Sequence, residues 1–110
     1  VSKTSIFVNG TKEFAIFYNS LSESNLLKKK LDGAIDLLKK NPTLGNKIQV
    51  KLFPNKYVRK HGIRNLYRYP LGSNHRLLYT IVSRQNEILC IILDVLDHKE
   101  YDQLFGYKTS

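Results

Sequence analysis

Three side-chain types in this chain suit chemistry on a phosphate diester: histidine, arginine and lysine. The histidines are His61, His75 and His98. Histidine is the side chain whose ordinary pKa lies near neutrality, so it can take or give a proton under mild conditions. Arginine can hold a phosphate through paired hydrogen bonds and stabilise charge that develops there. An RNA strand brings its own nucleophile, the 2′-OH. Cleaving it needs a base, an acid for the leaving 5′-oxygen, and cations around the phosphorane. His98 is the first candidate for the proton transfers, because it stands where an apolar strand meets a helix in LDVLDHKEYDQLFGY. Arg76, in HRLLY, Arg68 and Lys51 are candidates for phosphate contacts, and charge alone does not rank them. His75, next to Arg76, is a solvated turn residue or a second proton-transfer group. Three histidines without clustered cysteines or carboxylates give no metal-ligand spacing, and no cofactor is expected.

The charge pattern supports an anionic partner. The net charge is +9 on 110 residues. Between Asp36 and Glu87 there is no acidic residue, while eleven lysines and arginines fall in that span. Phe53, Tyr57, Tyr67, Tyr69 and Tyr79 are interleaved with them. Cations with aromatics suit backbone contacts plus base stacking. The length and a hydrophobic fraction of 42% fit one folded domain over residues 1–110. The longest apolar run, Ile88–Leu93, is far short of a membrane span. One cysteine, Cys90, inside that run, fits a reducing cytoplasm.

The elements that must position these residues follow from periodicity and stop signals. Thr4–Asn9 reads as a strand. Thr11 caps a short helix to about Asn19, and Ser22 or Ser24 caps a second with Leu27, Leu31, Ala34, Ile35 and Leu38 at helical spacing. Asn41-Pro42 stops that helix. Ile48–Phe53 alternates like a strand and carries Lys51. Asn55–Asn65 is a basic turn or short helix ending at Gly62. Leu66–Leu71, Arg76–Val82 and Ile88–Val95 read as strands, the last apolar throughout and therefore buried and central. Asp97 caps a final helix, with Glu100 at capping-box spacing and Gly106 closing it. The expectation is an α+β fold: a small antiparallel sheet, mostly four-stranded, two N-terminal helices on one face, a short C-terminal helix, and the other face partly open.

LYRYPLGSNHRLLYTIV followed by ILCIILDVLDHKEYDQLFGY, with the NPTLG turn before them, resembles the RelE/ParE superfamily of type II toxin–antitoxin toxins. The resemblance spans roughly Ser5 to Tyr107. It implies a metal-independent endoribonuclease that cuts mRNA at the ribosome and so inhibits translation. His98, Arg76 and Arg68 would be the catalytic set, and Lys51, Lys99, His75 and Tyr107 would contact RNA. It also implies a cognate antitoxin, acidic and apolar, that folds against the basic strands and the last helix. The second cation that family members often place two residues after the first on the basic strand is absent here, where Pro70 follows Tyr69. The alternatives are a ParE-like gyrase inhibitor without nuclease activity, a non-catalytic RNA-binding module, and a degenerate toxin.

Overall fold

A computed structural model describes residues 4–106. Its order is β1 (Ser5–Gly10), α1 (Lys12–Ser20), α2 (Leu26–Lys40), β2 (Asn46–Lys47), a 3-10 turn (Val50–Leu52), α3 (Asn55–His61), β3 (Tyr67–Leu71), β4 (His75–Arg84), β5 (Glu87–Asp97) and α4 (His98–Phe105). The architecture is α+β, as expected. The sheet has five strands rather than four, in the order β1-β5-β4-β3-β2. It is mixed, because β1 lies parallel to β5 while the other pairs are antiparallel. The apolar strand β5 is interior, paired on both sides.

Local chemistry sets the helix boundaries. The Thr11 hydroxyl accepts from the Phe14 N–H and caps α1. Asn25, not Ser22 or Ser24, caps α2: its side-chain oxygen accepts from the Leu27 and Lys28 N–H groups. Ser22 and Ser24 lie three residues and one residue before the cap, with their hydroxyls 3.4 Å apart. Asn41 ends α2 ahead of Pro42.

Two cores flank the sheet. Phe14 of α1 and Leu31, Ala34 and Leu38 of α2 pack on Leu71, Leu77, Tyr79, Cys90 and Ile92. On the opposite face Tyr57 of α3 and Tyr101 of α4 join Ile48, Ile63, Leu66, Leu78, Leu93 and Leu96. The second face is therefore covered where β4 begins and β5 ends. It is open only toward the β4–β5 turn, where Phe7 and Val82 stay exposed. A register shift opposite Leu78 and Tyr79 puts an extra residue into β5, and Leu93 and Asp94 both serve the α3 side.

The segment Ile48–Phe53 is not a strand. Pairing with β3 reaches only as far as the Ile48 N–H, which donates to the Leu66 carbonyl. The chain then folds on itself, with Leu52 N–H to Gln49 O and Phe53 N–H to Val50 O. Pro54 has no N–H to extend a ladder, and its carbonyl instead accepts the first bonds of α3. The turn brings Ile48 and Phe53 into the same core, which alternation along a strand would have sent to opposite faces.

Candidate functional site

Strand β5 runs into α4 without a loop. Asp97 ends the strand and caps the helix: its carboxylate accepts from the Glu100 N–H at 2.8 Å, and the Glu100 carboxylate accepts from the Asp97 N–H at 3.0 Å. This capping box fixes the backbone of His98, the first helical residue. Asp97 does not orient the imidazole, since its carboxylate is committed to the cap.

The imidazole is held from both edges. Nδ1 lies 2.8 Å from an Arg76 guanidinium nitrogen, and Nε2 lies 2.6 Å from the Ser73 carbonyl oxygen. A guanidinium only donates and a carbonyl only accepts, so the tautomer follows: Nδ1 accepts, and Nε2 carries the proton and donates to Ser73. His98 is exposed.

Arg76 stands opposite Leu96 on one side and Pro70 on the other, on the α3–α4 face of β4. Its guanidinium lies 4.6 Å from the centre of the Tyr101 ring, a cation–π contact. Arg68 on β3 donates to the Tyr101 hydroxyl at 2.9 Å. Tyr101 is 3% exposed and packs against Phe105 with ring centres 4.5 Å apart and planes tilted by 33°. One buried ring thus carries one arginine on its face and a second at its hydroxyl. Both arginines are only partly buried. Three candidates read from the sequence, His98, Arg76 and Arg68, converge around a fourth residue.

The other candidates do not join them. His75 is next to Arg76, so strand alternation turns it to the α1 side, where it lines a cleft with Glu13 and Phe17. Lys51 sits exposed on the 3-10 turn, not on a strand. Lys99 is exposed beside His98 in the first turn of α4. Tyr107 lies outside the described residues. Tyr101 falls one helical turn after His98, and that spacing is the signal in the sequence that the two share a face. The Ser73 carbonyl left no signal, because a backbone acceptor is anonymous in a sequence. Among the described residues no three His, Cys, Asp or Glu side chains group as a metal site, and no helix is long and apolar enough to cross a membrane.

This fold and these residues can be set beside known proteins. A family model described as the ParE toxin of a type II toxin–antitoxin system, parDE, matches residues 12–101. The chain belongs to the ParE toxin family. Family membership implies a cognate antitoxin as its partner. Among solved structures this ParE-family chain is similar to the YoeB/ParE toxin from Agrobacterium tumefaciens, at TM-score 0.59 and 14% identity over 84% of this chain and 98% of that one. At that identity the likeness speaks for the fold. Comparison with curated proteins gives no match. The expected RelE/ParE superfamily toxin is therefore what the chain is, and the chemistry of its toxicity is a separate question.

Proposed function

We propose that this ParE-family toxin is an endoribonuclease that cleaves mRNA and so stops translation. The observation that supports this reading is the grouping of His98, Arg76 and Arg68 on Tyr101. In the free protein Arg76 occupies Nδ1 of His98. A phosphate arriving at the two arginines competes for the Arg76 guanidinium, and a charge-assisted bond to phosphate is the stronger one. Nδ1 is then free to accept the 2′-OH proton, while Ser73 holds Nε2–H and supports the imidazolium that forms. The 2′-oxygen attacks phosphorus and the bond to the 5′-oxygen breaks. The imidazolium or solvent protonates the leaving oxygen. The products are a 2′,3′-cyclic phosphate and a 5′-OH. Arg68 and Arg76 stabilise the extra charge of the phosphorane.

The test is cleavage of a message in a translating extract, with the cut ends mapped. Wild type is expected to cut, and His98→Ala to lose about 10²–10⁴-fold in rate, the usual worth of a positioned proton-transfer group. A message left intact by the wild type sinks the ribonuclease reading. The family match favours a second reading, inhibition of DNA gyrase without nuclease activity. Loss of gyrase supercoiling on adding the wild type, with RNA uncut, would establish it.

A further inference from the structure

The open end of the second sheet face holds a cavity of about 540 Å³. Ile63, Val82 and Ile91 give it apolar walls, and His61 and Arg64 stand at its rim. No carboxylate lines it, whereas the two clefts along α1 contain Glu13 and Asp94. Its volume falls in the range of small-molecule sites, about 300–1,000 Å³. Thr80 and Asn65 build one wall and are satisfied internally. Thr80 donates to Asn65, and the Asn65 carboxamide pairs with both the N–H and the carbonyl of Ile81 as a strand residue would. The polar groups of this wall are therefore paired within it. Arg64 is exposed and, among the described residues, has neither an ion pair nor a hydrogen bond.

Thr80 lies on the same face of β4 as Arg76, four residues or about 13 Å further along, and Arg68 stands opposite Leu78 between them. Tyr57 of α3 packs with Leu78 and Leu93 on that face; of the exposed cations of α3, Lys56 pairs with Asp94 and Lys60 with Glu13, while Arg59 faces solvent. The Arg68–Arg76–His98 cluster and an apolar slot with Arg64 at its rim thus share one face of the sheet. That arrangement suits a single-stranded polyanion whose flat base enters the slot while its phosphates follow the cations.

We propose that this cavity is a nucleoside-binding subsite, taking one base of the same RNA strand a few nucleotides from the scissile phosphate. The proposal rests on the ribonuclease reading for its substrate. Ile63, Val82 and Ile91 hold the base, and Arg64 contacts the adjoining phosphate.

Methyl-resolved NMR of the whole chain tests it, with cytidine 5′-monophosphate, adenosine 5′-monophosphate and an uncleavable 2′-O-methyl pentanucleotide as probes. The expected result is that the nucleotides shift the Val82 and Ile91 methyl signals. The pentanucleotide should bind about tenfold more weakly to Arg64→Gln and to Val82→Trp, which fills the slot, while a 2′-O-methyl dinucleotide binds all three proteins alike. Both positions are exposed, and the methyl spectrum reports whether each variant is folded. Val82 and Ile91 signals that stay still with every nucleotide, or that move only with an acidic peptide, overturn the proposal. Nucleotide binding in the slot by a protein that leaves RNA uncut would keep the subsite and remove the nuclease. Cutting without binding in the slot would do the reverse.

Discussion

At the scale of residues, the site depends on which atoms are already engaged. His98 has no free ring nitrogen until Arg76 leaves it. Arg76→Ala should therefore do more than remove a phosphate ligand: it frees Nδ1 in the absence of substrate. We expect about 10²–10³-fold slower cleavage with the fold retained, read by initial rates and circular dichroism. Tyr101→Phe separates its two roles. The ring under Arg76 stays, and the acceptor for Arg68 goes. Stability should fall by about 0.5–1.5 kcal/mol, and cleavage should fall more than that figure alone accounts for. Tyr101→Ala should cost about 3–5 kcal/mol, as expected for losing a buried aromatic, and a urea titration distinguishes the two. Cys90 is fully buried, and burial pushes its thiol up to about 11; burial also pushes the Tyr79 phenol up to about 12. Both groups keep their protons longer folded than unfolded. Their contribution to stability is complete below about pH 9 and drains away as pH rises toward 12. Urea midpoints at pH 8 and pH 10.5 should differ, the second being lower, and a thiol reagent should label Cys90 only on unfolding.

At the scale of elements, the strand-to-helix corner was the most legible part of the chain. Asp97, Glu100 and Gly106 are local signals, and each does in the structure what its spacing predicts. Asp97→Ala should cost about 1 kcal/mol through loss of the cap. It should also slow cleavage, because the cap sets the backbone of His98, while Asp97→Ser should recover both. Denaturant melts and cleavage rates of the two variants are the comparison. The 3-10 turn was illegible for the opposite reason. Ile48–Phe53 alternates well enough for a strand, and only the core on the α3 side decides that Ile48 and Phe53 must point the same way. The NPTLG turn lies between these extremes. The buried Tyr79 hydroxyl donates to the Pro42 carbonyl and accepts from the Gly45 N–H. A Cβ on Gly45 would come within 2.6 Å of the Arg68 carbonyl oxygen. Gly45→Ala should therefore displace the turn and loosen β3, with a lower thermal midpoint and weaker amide protection at Arg68. The sequence marks the turn by composition, but its tyrosine partner lies 34 residues away.

At the scale of the whole molecule, charge and topology were legible to different degrees. The acid-free span was visible at once, and it predicts how the proposed RNA substrate would bind. Binding should weaken steeply as salt rises, with a log–log slope of about −0.7 for each phosphate engaged on a single strand. A salt titration of the uncleavable pentanucleotide measures that slope, and Arg68→Gln should make it shallower. The α+β class was legible from the order of elements. The partner of the first strand was not, since a parallel pairing across most of the chain leaves no local mark. Nor was the convergence of Arg68, Arg76 and His98, which requires β3, β4 and the start of α4 to be placed together.

That parallel pairing has a consequence for the order of events during synthesis. Ser5–Gly10 pairs with Glu87–Ile92, and the Thr11 N–H and hydroxyl reach the carbonyls of Ile92 and Leu93. The first strand of the sheet therefore has no partner until nearly all of the described chain has been made. At about 5–20 residues per second this is a wait of several seconds. His98 follows directly on β5, so the His98 corner and the sheet edge are completed in the same final step. If the proposed cleavage is the toxic activity, a nascent chain is inactive until that step, and a cognate antitoxin has that interval in which to meet it.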